Sequence, residues 1–229
     1  MYIHFNPSIR TVKHIDAKFT SAQIEDEPML FGASLRYARE NGSEITNTVL
    51  NAIHSDPEFD RMLVNTFQAD NDLNVIIDTK SVMVTKGQYP SIPGWHCDDV
   101  PRSSKNSQPD FSETTLDVQH FLVFFSDVGD LTGTEFVTSN HSLVVDENQV
   151  WGSVNNEIEN MLNTPYHQPH TRKAKDGELI QFNQLALHRA TPAKSYGWRY
   201  FFRLSFTRRP HINKLRKQVQ VYADASVGW

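Results

Sequence analysis

A succession of short β-branched and aromatic runs, beginning near residue 74, restricts the fold of this chain more than any other feature. NVIIDTKSVMVTK, HFLVFFSDV, TGTEFVT, GELIQF and WRYFFRLSFTR follow one another, parted by polar or glycine-containing turns. Side chains of this kind suit a pleated, half-buried surface. HFLVFFSDV is apolar at nearly every position, as a strand covered on both faces must be. Repeated short strands of this type predict a β sandwich or barrel.

The remainder of the chain reads as helix and loop around that core. TNTVLNAI follows a polar NGSE stretch, and Pro57 is placed to open a second helix, PEFDRMLVNTF. A third helix is expected in ENQVWGSVNNEIENMLN. The long polar stretch 99–118 is expected to be a loop that closes over a site, because long structureless segments in compact domains are often lids or binding loops. The 229 residues suit one domain: a mixed helical region over 1–73, a β core over 74–209 and a basic tail over 210–229.

Charge and cysteine usage exclude several classes. No apolar run approaches the roughly 20 residues that span a bilayer. The N-terminus lacks a basic segment followed by an apolar one, and Cys97 is the single cysteine, so a reducing, cytoplasmic setting is expected. The formal net charge of −5 argues against general nucleic-acid binding. Residues 208–217 (RRPHINKLRK) are nonetheless strongly basic. The default expectation is a solvated segment, and the functional alternative is a patch for a phosphate-bearing or polyanionic substrate.

Two imidazoles and one carboxylate on one face of an octahedral iron leave open positions for a co-substrate and dioxygen. Two of these ligands can come from His-x-Asp, because alternate residues of an extended segment share a face. The pattern occurs three times, at His14/Asp16, His54/Asp56 and His96/Asp98. Only the third follows a strand candidate and a tight turn, in YPSIPGWHCDD. A second histidine, His188, lies in GELIQFNQLALHRATPA, behind a glycine turn, an apolar alternation and Phe182. This segment resembles the distal-ligand strand of the double-stranded β-helix oxygenases dependent on iron(II) and 2-oxoglutarate. TGTEFVTSNHSL resembles a segment of phytanoyl-CoA hydroxylase-like members. The resemblance covers roughly residues 74–209. It implies a mainly β fold with flanking helices and a jelly-roll, cupin-like core, with His96, Asp98 and His188 as catalytic metal ligands. His120, His141, His167 and His170 are weaker rivals for the third position, and Asp99 is the rival carboxylate. Cys97 is expected to face away.

A keto-acid co-substrate needs a fixed cation for its distal carboxylate, and arginine supplies a planar bidentate partner. In GWRYFFRLSFTR, Arg199, Phe201, Arg203 and Ser205 share one face, while Tyr200, Phe202, Leu204 and Phe206 share the other. The arginine spacing is similar to that of taurine dioxygenase-like enzymes, which favours Arg203 as the anchor. The Gly-aromatic-Arg run resembles phytanoyl-CoA hydroxylase and favours Arg199. Thr134 resembles an assisting threonine of the taurine group. The resemblance implies hydroxylation with O₂ as co-substrate and release of succinate and CO₂. Halogenation is disfavoured, because a halogenating relative would lack Asp98. Expected substrates, in order, are a small polar molecule, a peptide side chain and a nucleobase. A cupin-type isomerase or epimerase and a catalytically inactive barrel are the rival classes.

Overall fold

The structure is a computed structural model that describes residues 1–68, 72–115, 117–166 and 168–223. Its strands are β1 (Tyr2–Phe5), β2 (Ile9–His14), β3 (Leu30–Phe31), β4 (Asn74–Val84), β5 (Gln119–Ser126), β6 (Thr134–Val137), β7 (His141–Val144), β8 (Thr171–Lys173), β9 (Glu178–Asn183), β10 (His188–Ala190), β11 (Gly197–Thr207) and β12 (Lys214–Leu215). Its helices are α1 (Ser21–Asp26), α2 (Leu35–Asn41), α3 (Glu44–His54), α4 (Pro57–Gln68) and α5 (Val150–Leu162). The chain is therefore mainly β, and its strand pairings are antiparallel.

The main sheet has five strands in the order β2-β9-β5-β11-β4. Strand β5 lies at its centre and is buried along its whole middle, as the continuous apolar run HFLVFFSDV requires. The period of two separates the faces of β11. Tyr200, Phe202, Leu204 and Phe206 join Phe121, Val123 and Phe125 in a core closed by Ile24, Ile45, Val49, Leu50, Ile53 and Phe59 of the helical layer. The helices pack there because each presents an apolar stripe: α3 buries Ile45, Val49, Leu50 and Ile53 at helical spacing. Its N-terminus is closed by the buried carboxylate of Glu27, which accepts from the backbone N–H groups of Ile45 and Thr46 at 3.2 and 3.1 Å. The opposite face of the sheet packs Leu122, Phe124, Ile180 and Phe182 against Phe136 of a smaller sheet, β10-β6-β8.

Two features depart from the sequence reading. Strand β2, from the stretch expected to be mixed helical, is an edge strand of the main sheet, paired with β9. The basic segment is not wholly solvated either: β12 pairs with β3, and Arg209 and Arg216 are drawn inward while Arg208, Lys214 and Lys217 are exposed. Among the described residues no helix is long and apolar enough to cross a membrane.

Asp78 of β4 ties these parts together. Its carboxylate accepts from the Gly32 N–H at 3.0 Å and pairs with Arg203 at 3.2 Å and Arg209 at 2.9 Å. Burial opposes its charge, but Arg203 and Arg209 outweigh burial and lower its pKa from 3.8 to about 2. A folded-state pKa below the unfolded value gives stability that is present above about pH 4 and lost as pH falls toward 2, worth about 2 kcal/mol. Urea unfolding should therefore find Asp78→Asn less stable than wild type by about 2–4 kcal/mol at neutral pH, since breaking a buried pair exposes its partner's cost. That deficit should narrow at pH 3. An equal deficit at both pH values would contradict the assignment.

Candidate metal centre

His96 follows the turn PSIPGW and forms a single antiparallel bridge with His188, the first residue of β10, through backbone hydrogen bonds of 3.0 and 2.9 Å. The two imidazoles lie side by side, with ring centroids 4.5 Å apart. His96 Nδ1 is 2.8 Å from the Gly94 carbonyl oxygen, and His188 Nδ1 is 2.9 Å from that of Ala186. A carbonyl can only accept, so each Nδ1 carries the hydrogen and each Nε2 is directed into the site. Asp98 Oδ2 is 3.3 Å from His188 Nε2. One donor atom from each of His96, Asp98 and His188 falls within 4.8 Å of the others.

The protonation states suit a cation. Burial, helped by the neighbouring His188, holds the His96 pKa near 4, leaving that ring neutral at physiological pH. Burial opposes the charge of Asp98, yet Arg203 and the histidines hold its carboxyl well below the usual range. With hydrogen on Nδ1, the Nε2 lone pair of His188 faces a carboxylate oxygen. The donor set, two imidazole nitrogens and one carboxylate oxygen with open approach, fits a divalent transition metal such as iron(II). The two carbonyls fix the ring orientations, as outer partners of metal-ligating histidines do. Phe136 and Phe182 wall His188 at centroid distances of 5.5 and 5.2 Å.

Two hollows meet at these residues. An inner cavity of about 310 Å³ is lined by His96, Asp98 and His188 together with Lys80, Thr134, Arg199, Arg203, Arg209 and Arg216. An outer cleft of about 650 Å³ is bordered by His96 and Asp98, by Arg102 and Gln108 of the 99–118 loop, and by Gln149 and Trp151 at the start of α5.

The two arginines of β11 differ sharply. Arg203 lies opposite Asp78 in register, pairs with it, and also pairs closely with Asp98. Arg199 lies opposite Val82 and Ser126, which offer no carboxylate. It is 2 % exposed, its Nε lacks a hydrogen-bond partner, and its guanidinium stacks over Phe124 at 4.5 Å. Burial lowers its pKa to about 10. Asp176 opposes that shift only from beyond ion-pair distance, so the buried guanidinium remains costly and an anion entering the cavity would offset that cost.

The remaining candidates separate cleanly. Thr134 of β6 is buried and lines the inner cavity. Ser205 is instead bonded to His120, Oγ to Nδ1 at 2.9 Å. Among the described residues His120, His141 and His170 do not join the metal-ligand group, and His167 lies outside the described residues. Cys97 is buried among apolar residues, and burial raises its thiol pKa. Asp99 turns away with φ of +56° and pairs with Arg209 Nε at 3.0 Å. Trp95 is fully buried, donates to Glu159 at 2.8 Å and carries Arg189 over its ring, so it packs the core. The sequence reading missed Asp78 and Lys80. Charged side chains on one face of an otherwise apolar strand were the available signal, the same one that singled out Arg199 and Arg203.

No family model and no curated protein matches the chain. Among solved structures, it is similar to a novel N-substituted L-amino acid dioxygenase from Burkholderia ambifaria AMMD at 12 % identity, with 83 % of this chain and 73 % of that chain covered and a TM-score of 0.35. A structure of such a dioxygenase from the same organism in complex with alpha-KG matches at 14 % identity, with the same coverage and TM-score. Likeness of this size carries neither residues nor substrates across.

A ligand that binds only the folded state raises the melting temperature. Manganese(II) should raise it for the wild type under anaerobic, chelator-free conditions. His188→Ala should weaken metal binding by roughly 100-fold or more and abolish that rise. An undiminished rise would remove His188 from the ligand set.

Proposed function

We propose that the protein is an iron(II)- and 2-oxoglutarate-dependent oxygenase that hydroxylates a small molecule, on a double-stranded β-helix core formed by the main sheet and the β10-β6-β8 sheet. The observation that carries this reading is the convergence of His96, Asp98 and His188 beside a buried arginine with no ion-pair partner among the described residues. Iron(II), when bound, would supply the dioxygen chemistry that couples oxidative decarboxylation of 2-oxoglutarate, to succinate and CO₂, with hydroxylation of a C–H bond.

The protein's own residues bind, orient and exclude water. Arg199 is the cation for the distal carboxylate of 2-oxoglutarate, and Thr134 of the smaller sheet lines the same cavity. Arg203 is engaged elsewhere: it holds Asp98 in its charged state and fixes its direction through the second pair to Asp78. The aromatic rings of Phe124 and Phe201 flank Arg199 at 4.5 and 5.6 Å and keep its surroundings poor in water, which strengthens its pairing with a carboxylate. The outer cleft under the 99–118 loop gives the second approach to the ligands.

Anaerobically iron-loaded protein should form succinate from 2-oxoglutarate once oxygen is admitted, and His96→Ala should form none. Arg199→Met should raise the 2-oxoglutarate concentration at half-saturation by about 100-fold, the loss expected of a bidentate charge-assisted pair worth about 3 kcal/mol. Arg203→Met should instead weaken metal binding. No succinate and no metal-dependent binding of 2-oxoglutarate would sink the oxygenase reading in favour of a cupin-type metalloenzyme.

A further inference from the structure

The inner cavity is lined by more cationic side chains than the proposed cofactors require. Lys80, Arg199, Arg203, Arg209 and Arg216 face or enter it. The carboxylates that answer them are Asp78, Asp98 and Asp99, with Asp176 acting on Arg199 from beyond ion-pair distance. Arg189 also borders the cavity but is neutralised by Glu135 and Glu159. Iron(II) would add two charges and the 2-oxoglutarate dianion would cancel them, so the cations that lack a close carboxylate partner decide what else the cavity can take.

Two of the cations are weakly answered. On β4 the cavity face presents Asp78 and Lys80, opposite Arg203 and Phe201 of β11. The Lys80 ammonium makes no ion pair or hydrogen bond among the described residues and sits 5.6 Å from the centre of the Phe201 ring. Arg216 reaches in from the tail, stacks over Phe31 at 4.4 Å and has a buried Nε without a hydrogen-bond partner. Its nearest carboxylate, Asp78, is 3.9 Å away and already serves Gly32, Arg203 and Arg209. The Phe201 ring lies 5.6 Å from the Arg199 guanidinium as well, so it stands within reach of both cationic groups.

We propose that Lys80, Arg209 and Arg216 form a binding wall for a doubly charged acidic group of the substrate, a phosphate monoester or a pair of carboxylates. This substrate assignment rests on the oxygenase reading. Two weakly answered cations, Lys80 from β4 and Arg216 from the tail, converge beside the ion-paired Arg209 where a single dianion would satisfy them, and arginine and lysine together suit phosphoryl and carboxylate oxygens. Burial and the nearby Arg203 and Arg216 lower the Lys80 pKa to about 8, a shift that an incoming dianion would reverse.

Arg199→Met protein has lost the cation of the co-substrate pocket, so titrating it calorimetrically at low salt reads the wall alone. The probes are methyl phosphate, a phosphate monoester, and malonate, a dicarboxylate. Saturable binding of at least one is expected, weakened by roughly 10-fold or more on adding Lys80→Gln or Arg216→Gln, and the tighter probe identifies the acid class. Should Arg199→Met fold poorly, the same titration of wild-type protein saturated with manganese(II) and 2-oxoglutarate replaces it. No saturable binding of either probe, or binding indifferent to both added substitutions, overturns the proposal. A separate titration of 2-oxoglutarate into manganese-loaded Lys80→Gln reads the oxygenase assignment. If 2-oxoglutarate binds there but neither probe binds the wall, the wall alone fails. If the probes bind and 2-oxoglutarate does not, the wall stands and the oxygenase reading falls.

Discussion

A single carboxylate organises the charged half of this molecule. Asp78 receives Arg203 from β11, Arg209 from the segment beyond it, Arg216 from the tail and the Gly32 backbone from the β3 turn. Each connection joins a different part of the chain to β4. Arg203 carries the connection onward to Asp98, so the candidate metal ligand is held by the same network that fixes the tail. A buried ionic network of this kind is weak evidence for net stability, because desolvation offsets much of the attraction. Its value lies in geometry: removing one member leaves the others charged and buried, so the alternatives to this arrangement are expensive.

Strand β11 makes the separation between core and cavity possible. Alternate residues are delivered to opposite faces, one largely apolar and joined to the helical layer, the other carrying Arg199 and Arg203. The register with β4 then gives the two arginines different work. Arg203 meets Asp78 and becomes part of the protein's internal ion network, while Arg199 meets Val82 and remains available to a ligand. Two chemically identical side chains four residues apart thus take a structural and a binding role because of what stands across the strand.

Much of the scaffold was legible in the sequence. The runs that became β4, β5, β6, β9 and β11, and the segments that became α3, α4 and α5, carry strong periodicity or turn signals. The grouping of His96, Asp98 and His188 could be anticipated because only one His-x-Asp pair had a strand and turn before it. Other elements were hidden for physical reasons. Strand β2 is an edge strand with exposed charges and lacks a continuous apolar pattern. The tail's inward course is dictated by Asp78 and by the two-residue pairing of β12 with β3, neither of which leaves a local signature. Which arginine is free depends on cross-strand register, and register is a tertiary property. The sequence spacing favoured Arg203, whereas the ion pairs point to Arg199 as the uncommitted cation.

Iron(II) chelated by a 2-oxo acid absorbs visible light through charge transfer, so the metal centre and the co-substrate site can be read together without any knowledge of the substrate. The most direct measurement is the anaerobic absorption spectrum of iron-loaded protein titrated with 2-oxoglutarate, for wild type and for Arg199→Met. A saturable visible band in the wild type, displaced to much higher 2-oxoglutarate concentration in Arg199→Met, is the predicted result. A wild-type spectrum with no band at any 2-oxoglutarate concentration, despite bound iron, would contradict the account at its centre.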